Sequence, residues 1–591
     1  MIPDTVQAPP ELGNQYDTDR VLRSYLRRVL PHDVHAAVQP GLRAMGDRAG
    51  HDLYELQQST LREEPTLTQW GPWGDRVDRI EVTEVWKRAE KIAAREGVVA
   101  TAYERAHGPH SRVHQMALAY LFITSTDMYG CPLAMTDGAA RTLLDRGRES
   151  LVEAAVPHLT ARDPASFWTA GQWMTEVSGG SDVSSTRTTA RPTDGDVWRL
   201  HGRKWFTSAI TANVALALAR PEDNPPGSNG LALFYVPIRE DNGLADGIYV
   251  NRIKDKLGTR KLPTAELTLD GAAAYPVTDE LRHGTRALTP MLTVTRTWNA
   301  VTAAAYLRRG VALARDYARK RTAFGAPLLD HPLHQDTLAG LQAQLEGMVH
   351  LAFRVAELLG HHEAGTASEN DRALLRLLTP IAKLTTAKQA VSGTSEVVEA
   401  FGGAGYIEDT GVPPLLRDAQ VLPIWEGTTN VLALDLLRTV GRGDDALSPL
   451  HDEFKRCHAA VDAPVLREAT QTALDAFRST AVWLQRAREA GDGALEAGAR
   501  AVALRLGHAL ERAYTARHAQ WALRTDQDGR SAAAAERLAA RPLPPLPDLT
   551  GPAPKALAHD EPSAALLDRY SPSAPSSSSG TGPRTESRES A

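Results

Sequence analysis

The stretch WMTEVSGGSDV, residues 173–183, marks the point at which the pattern of this chain changes from helical to extended. Before it, apolar residues recur at the spacing of amphipathic helices. After it, as far as about residue 277, short runs of strand composition are separated by turn clusters such as Asp241-Asn242-Gly243. From about residue 285 the pattern is helical again. Because helices and strands are segregated along the chain, we expect an α+β fold and not an alternating, doubly wound sheet.

The extended part contains five runs whose composition predicts strands. In these runs β-branched and aromatic residues cluster between boundaries rich in Gly, Pro, Asp and Asn. The runs are residues 197–201, 214–219, 231–236, 248–253 and 265–269. Together they predict one β domain in the middle of the chain.

The flanking parts predict helices. From Val82 to Ala89, apolar residues fall at positions i, i+3, i+4 and i+7, which gives one apolar face. On the N-terminal side of that helix, the Trp, Pro and Gly residues of segment 66–79 predict an irregular loop. On the C-terminal side of the β domain, three long helices are predicted over residues 288–319, 334–363 and 371–401.

The composition excludes several classes of protein. The 591 residues are 42% hydrophobic, which suffices for a sizeable core, and the formal net charge of −6 argues against a chain that coats nucleic acid. Two cysteines, Cys131 and Cys457, exclude a disulfide scaffold and fit a reducing cytoplasm. No histidine pattern such as HExxH is present, so we expect no metal. No run reaches the ~18 apolar residues of a membrane span, and we expect a cytoplasmic protein.

Shifts in composition divide the chain into six predicted segments. Residues 451–541 carry 14 Lys and Arg against 12 Asp and Glu, and their arginines at 500, 505, 512, 517 and 524 form either one stripe or ordinary solvated helix faces. The end of the chain is rich in Pro and Ser and is expected to be disordered. The segments are 1–79, an extension; 80–165, a helical domain; 166–280, the β domain; 281–440, a second helical domain; 441–541, an additional helical domain; and 542–591, the tail.

Two motifs in the β domain have a functional and an ordinary interpretation. In segment 174–182, small residues let a backbone approach a ligand, and hydroxyl and N–H groups can bind a phosphate or the edge of a flavin ring. The alternative is a tight turn that leads into a strand. In segment 202–208, the pair Trp205-Phe206 beside a hydroxyl is either one wall of a planar cofactor site or two core aromatics.

Two further motifs lie in the second helical domain. Segment 321–328 follows a long helix. Arg321 either binds a phosphate or caps the C-terminus of that helix, where a cation interacts favourably with the helix dipole. In segment 424–430, Glu426 lies beside Trp425 and Gly427. It is either a buried base with a raised pKa or an acidic residue in the first turn of the following helix.

The four motifs, in this order along a helix–sheet–helix chain, resemble those of the acyl-CoA dehydrogenase family. The resemblance covers about residues 80–440. The resemblance implies an N-terminal helical domain, a middle antiparallel β-barrel and a C-terminal four-helix bundle, assembled as a homotetramer. It also implies that FAD is bound between subunits and that the reaction is the Cα–Cβ dehydrogenation of an acyl thioester.

The resemblance implies roles for particular residues. Glu426 matches the catalytic base, and Thr295 stands at the family's alternative base position, where a threonine cannot serve. Arg321, Phe324 and Gly403 match residues that reach the FAD of a neighbouring subunit. The complete set of matched cofactor-binding positions is Met174, Thr175, Gly180, Ser181, Trp205, Phe206, Thr207, Arg321, Phe324, Gly403, Thr428 and Asn430.

A closer resemblance is to the AidB-like branch of that family, the flavoproteins of the adaptive response to DNA alkylation. It rests on segments 173–183, 204–206, 255–260, 324–328 and 424–427. The extension before residue 80 and the helices after residue 440 also fit this branch. Its members bind FAD, are poor dehydrogenases and bind duplex DNA through the C-terminal domain, which here is 441–541.

Three functions therefore follow from the sequence. The first is an FAD-dependent acyl-CoA dehydrogenase whose electron acceptor the sequence does not name. The second is a DNA-binding flavoprotein with weak dehydrogenase activity. The third is a flavin oxidase or N-hydroxylase on the same scaffold, which would react with O₂ directly.

Overall fold

The computed structural model describes residues 7–193, 195–240, 243–441, 443, 445–548, 553–564 and 566. Helices precede and follow one β-barrel, as the segregated pattern predicts. The N-terminal helices are α1 (Arg20–Val29), α2 (His32–Gly50), α3 (Asp52–Ser59), α4 (Glu84–Arg95), α5 (Ala100–Glu104), α6 (Ser111–Phe122), α7 (Gly130–Arg146) and α8 (Glu149–Leu159).

The segment predicted as an irregular loop, 66–79, is instead an antiparallel hairpin of β1 (Thr66–Trp70) and β2 (Arg76–Glu81). Its strands are stabilised by contacts that are distant in sequence. The Gln69 side chain donates to the carbonyl of Val250 at 2.8 Å, and Asp78 accepts from the amide of Val250 at 2.9 Å. The hairpin therefore covers an edge of the barrel that would otherwise be unpaired.

The barrel closes through a ring of five strands. The strands of the domain are β3 (Ala170–Trp173), β4 (Thr189–Pro192), β5 (Trp198–Ser208), β6 (Val214–Pro221), β7 (Ala232–Pro237), β8 (Arg239–Glu240), β9 (Gly243–Leu244), β10 (Ile248–Ile253) and β11 (Thr264–Pro276). The ring runs β11–β5–β4–β6–β7 and returns to β11, while β3 and β10 attach to β6 and β11. Its interior is apolar and includes Trp173, Phe234 and Leu267.

The expected barrel is confirmed, although it is not antiparallel throughout. Both β3 and β4 pair with β6 in parallel, and they lie one after the other along it. β3 pairs with residues 214–217 and β4 with residues 220–221. Residues 174–188 therefore leave the sheet after β3 and return to the same strand at β4, which makes the glycine-rich motif an excursion from the barrel wall.

The second helical domain begins with α9 (Gly284–Ala287) and three helices of 32 residues, α10 (Thr289–Lys320), α11 (Pro332–Glu363) and α12 (Glu369–Ala400). The three long helices pack on one another, and α14 (Thr429–Val440), which follows the short α13 (Pro413–Ala419), packs on α12. A capping box of Ser368 and Asp371 begins α12. A small hairpin of β12 (Thr322–Ala323) and β13 (Ala326–Pro327) joins α10 to α11. In the described part of the chain, no helix is both long and apolar enough to cross a bilayer.

Additional helices follow in the described residues, and the first four of them pack together and onto the bundle. They are α15 (Ser448–Ala459), α16 (Pro464–Ala490), α17 (Asp492–Thr525), α18 (Arg530–Ala540) and α19 (Ala553–His559). α17 packs against α11, α12 and α14 on one side and against α16 and α18 on the other. Of the tail predicted from residue 542, the first part packs on these helices through Leu543 and Leu546. Residues 567–591 lie outside the described residues.

Of the five arginines of α17, Arg500 and Arg524 are exposed and the other three are buried or half-buried, so they do not form one continuous exposed stripe. Arg512 is buried and donates to the carbonyl of Arg541, and Arg505 donates to the carbonyl of Pro544 at 3.1 Å. Arg524 is exposed and paired with Asp462. A row of phosphate contacts needs several unpaired cations on one surface, and this helix does not supply it.

Candidate active site

A cleft of about 490 Å³ lies where the first helical domain, the barrel and the bundle meet. The start of α7 forms one wall, and the barrel contributes residues from β3, β5 and the 174–188 excursion. α10 and the loop before α14 form the opposite wall. Of the predicted site residues, the cleft brings together Met174, Thr175, Gly180, Ser181, Phe206, Glu426 and Thr428.

The loop that carries Glu426 has an unusual backbone. Glu426 has φ = 56° and the following Gly427 has φ = 99°. A left-handed conformation costs a non-glycine residue roughly 1–2 kcal/mol, so surrounding contacts must hold it. The conformation lets Thr428 cap α14 immediately afterwards, because its hydroxyl accepts from the amide of Val431 at 3.4 Å.

The carboxylate of Glu426 is held by α10. The Thr295 hydroxyl donates to Glu426 Oε2 at 2.8 Å, and Arg296 donates to the Glu426 carbonyl at 3.3 Å while it pairs with Asp435. Burial raises the pKa of Glu426 above its ordinary value, and the hydrogen bond from Thr295 and the charge of Arg296 oppose that rise. A half-buried carboxylate with a raised pKa in a cleft is suited to accept a proton from carbon.

Lys383 supports the same loop from α12. Its side chain is fully buried, and its Nζ donates to the carbonyls of Trp425 and Gly427, each at 2.7 Å. Burial lowers the pKa of Lys383 to about 7, although the neighbouring Glu426 raises it. Lys383 is not among the residues predicted from the sequence. The available signal was one lysine within the otherwise apolar and hydroxyl-bearing stretch 380–387.

The 174–188 excursion presents unused donors to the cleft. Within the described residues, no partner accepts from the hydroxyls of Thr175 and Ser181 or from the amides of Gly180 and Ser181. A Cβ at Gly180 would lie 2.9 Å from Thr175 Cγ2, so the glycine keeps the backbone close to this hydroxyl. Hydroxyl and amide donors of this kind fit the oxygen atoms of a pyrophosphate or a flavin edge.

Two buried side-chain amides in the same cleft each have one atom that lacks a partner among the described residues. They are Asn299 Nδ2 on α10 and Gln172 Oε1 on β3. Buried polar atoms without partners are costly, which favours a polar ligand at this position. The other end of the Asn299 amide accepts from the indole of Trp425. The cleft therefore fits a cofactor that carries both a polar edge and phosphate groups.

The aromatic pair of β5 sits in a β-bulge. Trp205 and Phe206 together lie opposite Glu266 alone, because the register of β5 with β11 shifts at that point. A bulge redirects side chains, and here it leaves Phe206 half-exposed in the cleft. Trp205 lies beside the cleft with Lys254 Nζ over its ring at 3.5 Å. Its amide donates to the carbonyl of Thr175 at 2.9 Å, which ties the bulge to the excursion.

The structure does not bring every predicted residue to the cleft. Thr207 is fully buried inside the barrel, where its hydroxyl donates to the Ala265 carbonyl at 2.7 Å. The remaining predicted positions are exposed and do not line the cleft of their own chain. They are Arg321, Phe324, Gly403 and Asn430.

Phe324 is almost fully exposed. It is 98% exposed at the tip of the β12–β13 hairpin, where Phe324 and Gly325 both have positive φ angles, 50° and 84°. Two consecutive positive φ angles are typical of the tight turns that join two strands. An aromatic side chain displayed in this way has no partner core in its own chain.

Models of known families match three consecutive parts of the chain. Residues 7–164 match the adaptive response protein AidB N-terminal domain. Residues 171–272 match the acyl-CoA dehydrogenase middle domain, and residues 282–441 match the acyl-CoA dehydrogenase C-terminal domain. The three matches follow the order helical domain, barrel and bundle of the structure.

Individual relatives extend the similarity beyond these domains. Acyl-CoA dehydrogenase family member 11 of Caenorhabditis elegans is 46% identical over 450 residues, which are 75% of this chain and 73% of that protein. Putative acyl-CoA dehydrogenase AidB of Escherichia coli is 30% identical over 70% of this chain and 76% of that protein. The crystal structure of C. elegans ACDH-11 in complex with C11-CoA superposes with a TM-score of 0.91 over 97% of this chain and 98% of that one, at 38% identity.

Proposed function

Because this chain belongs to the acyl-CoA dehydrogenase family and to its AidB-like branch, whose members are FAD flavoproteins, we propose that it dehydrogenates an acyl-CoA thioester with Glu426 as base. The observation that carries the proposal is the position of the Glu426 carboxylate. It lies in the cleft between barrel and bundle, with a raised pKa and with Thr295 bonded to one oxygen. The chain is an oxidoreductase by family, and the reaction is the finer step that we propose.

In the proposed reaction, Glu426 removes the proton from Cα while the hydrogen on Cβ passes to the bound cofactor. The thioester α-proton is weakly acidic, so the base must be close to it and shielded from water. The Cα–H bond breaks as its proton passes to Glu426, and a double bond forms between Cα and Cβ. FAD, when bound, supplies the acceptor for the hydrogen and the electron pair that leave Cβ.

The cofactor would be held by the excursion, the bulge and a neighbouring subunit. The free donors of Thr175, Gly180 and Ser181 suit phosphate and ring oxygens, and Phe206 suits one side of the ring. Arg321 and Phe324 are proposed to serve the FAD of a neighbouring subunit in a homotetramer. Their exposure, away from the cleft of their own chain, supports this assignment.

The substrate is proposed to be an acyl-CoA with a medium-length chain. The relative with a TM-score of 0.91 was crystallised with C11-CoA. The cleft of this chain is lined by apolar side chains that would suit such an acyl group, among them Met128, Leu288 and Leu292. The proposed partners are therefore this thioester and an electron acceptor of another protein or small molecule.

Anaerobic reduction of the flavin tests the proposal. Glu426→Gln should retain FAD, but C11-CoA should no longer bleach its visible absorbance. Glu396→Gln, on the exposed face of α12, is the matched control and should be reduced like the unaltered protein. Reduction of Glu426→Gln at the unaltered rate would remove the proposed base.

The same samples separate the two other functions. A flavin oxidase or N-hydroxylase would form peroxide or an oxygenated product in air without another acceptor. A DNA-binding flavoprotein would bind duplex DNA with a strong dependence on salt. The buried or paired arginines of α17 do not favour that second function.

A further inference from the structure

Two cations hold the three consecutive carbonyls that surround the proposed base. Lys383 Nζ donates to the carbonyls of Trp425 and Gly427, and Arg296 Nε donates to the carbonyl of Glu426 between them. The central residue has the left-handed backbone described above. Lys383 reaches this loop from α12 and Arg296 reaches it from α10, so the loop is fixed from two directions.

Within the described residues, the buried ammonium of Lys383 is not neutralised by an ordinary ion pair. Among the described residues, no carboxylate lies within ion-pair distance of its Nζ. A buried ammonium without such a partner destabilises a fold, and an apolar side chain would suit the interior of α12 better. The two carbonyls of the 425–427 loop are the partners that account for a lysine at this position.

We propose that Lys383 is a positioning residue for the reaction, which holds the backbone of Glu426 in its left-handed conformation and thereby fixes the carboxylate in the cleft. The inference rests on the proposed function of Glu426. The two hydrogen bonds flank the base symmetrically, one residue before it and one after it. Removing them frees the loop to relax toward ordinary φ angles, which would move the carboxylate.

The ammonium also contributes a charge, which can be separated from its hydrogen bonds. A protonated lysine has three hydrogens and a neutral lysine has two, so either form can donate to both carbonyls. The charged and titratable groups that face Glu426 are Lys383 of α12, Arg296 of α10 and Cys131 of α7. Loss of the lysine charge leaves one cation near the carboxylate, which disfavours its ionised form.

Two variants of the FAD-loaded protein separate these effects. Lys383→Met removes the charge and both donors, whereas Lys383→Gln removes the charge but keeps an amide that can donate twice. With C11-CoA under anaerobic conditions, Lys383→Met should lower the limiting rate of flavin reduction about 100-fold, the scale expected when a reacting group is displaced by about 1 Å. The concentration of C11-CoA at half-saturation should change much less. Lys383→Gln should recover part of the rate.

Two further measurements do not depend on the absolute value of the rate of flavin reduction. In both variants the acidic limb of the rate–pH profile should move to higher pH, because the ionised form of Glu426 has lost a nearby positive charge. Hydrogen exchange in the 424–430 segment should be faster in Lys383→Met than in Lys383→Gln. Thr386→Val is the control, because the side chain of this buried residue of α12 bonds, among the described residues, only to the Ala382 carbonyl of its own helix.

The inference fails if Lys383→Met keeps the rate, the pH profile and the exchange pattern of the unaltered protein. It also fails if both Lys383 variants lose FAD or fold while Thr386→Val does not, since the lysine would then be purely structural. Glu426→Gln is measured alongside. If that variant remains active, the proposed base is lost; if it is inactive while Lys383→Met is unaffected, only the positioning role is lost.

Discussion

The hydroxyl of Thr295 lies 2.8 Å from Oε2 of Glu426. The same hydroxyl is 3.0 Å from the Met291 carbonyl and 3.3 Å from the Leu292 carbonyl of its own helix, so its single hydrogen has three acceptors within reach. When Glu426 is ionised, Thr295 can donate to it. When Glu426 has taken a proton, the carboxylic acid can donate to Thr295, whose hydrogen then turns to Met291. Thr295 can therefore remain bonded to the base in both of its states.

Thr295→Val should slow flavin reduction, because it removes the only side-chain hydroxyl that is bonded to Glu426 among the described residues. That bond lowers the pKa of Glu426, so its loss raises the pKa further and reduces the ionised fraction at acidic pH. We expect a loss of about tenfold at pH 6, the worth of one hydrogen bond to a charged acceptor. Stopped-flow measurements over a pH series give this value. Thr295→Ser should behave like the unaltered protein, and equal rates for the Val and Ser variants would contradict the assignment.

Glu426→Gln should make the protein more stable at neutral and alkaline pH. The folded-state pKa of Glu426 lies above its ordinary value of 4.5, so the ionised side chain destabilises the folded state once the pH exceeds that folded-state pKa. Below 4.5 the carboxyl is protonated in both states and the penalty disappears. Urea unfolding should show a gain in the free energy of unfolding at pH 8 that closes as the pH falls toward 4.5. A gain that grows in acid would have the wrong sign.

The buried pair Lys204–Glu176 should be required for the 174–188 excursion. Lys204 Nζ is 2.8 Å from Glu176 Oε1, and Glu176 also accepts from the amides of Arg187 and Thr188 at the far end of the excursion. Lys204→Met leaves a buried carboxylate without its cation, which costs about 3–5 kcal/mol. Thermal or urea unfolding measures that loss, and FAD content should fall with it. The double variant Lys204→Met with Glu176→Leu should be more stable than Lys204→Met alone.

The packing of the additional helices against the bundle should depend on the absence of a side chain at Gly507. This glycine lets α17 approach α12 so closely that a Cβ would overlap with the Thr385 side chain. Gly507→Ala should therefore cost about 1–3 kcal/mol in urea unfolding, the usual range for overpacking. Gly493 lies on the same helix with open space around it, so Gly493→Ala should leave the free energy of unfolding unchanged or raise it slightly. A gain in both variants would reflect the higher helix propensity of alanine and would contradict the packing constraint at Gly507.

Phe324→Ser should weaken the proposed tetramer without unfolding the subunit. The side chain has no core contacts in its own chain, so its removal costs the isolated subunit little. Light scattering coupled to size exclusion should show a smaller particle, and the purified protein should hold less FAD. Phe324→Tyr keeps the ring and should keep the assembly. An unchanged mass and FAD content in Phe324→Ser would remove this residue from the proposed interface.

The sequence was sufficient for most of the scaffold. The run 248–253 is observed as β10 with the same limits, and the helix predicted over 288–319 differs from α10 by one residue at each end. These elements carry strong local patterns. The Glu426 carboxylate could be placed in the cleft because its segment matches a family motif, as do the segments of Ser181 and Phe206 that line the same cleft.

Features that depend on distant contacts were not predicted. The β1–β2 hairpin has exposed Trp70 and Trp73 and is fixed by the edge strand β10, far away in the sequence. The ring closure of the barrel and the parallel pairing of β3 and β4 with β6 are likewise tertiary. The contacts of Lys383 were likewise not predictable, because its hydrogen bonds form only when α12 is packed against the 425–427 loop.

The parallel placement of β3 and β4 on one strand has a consequence for the evolution of the chain. Since both anchors of residues 174–188 are set by β6, lengthening or shortening that segment would leave the strand register of the barrel intact. Changes within this segment can therefore alter ligand preference, provided that Glu176 keeps its bonds to Lys204 and to the amides of Arg187 and Thr188. A grafting experiment that exchanges only this segment between homologues would keep the host architecture and transfer what the segment recognises.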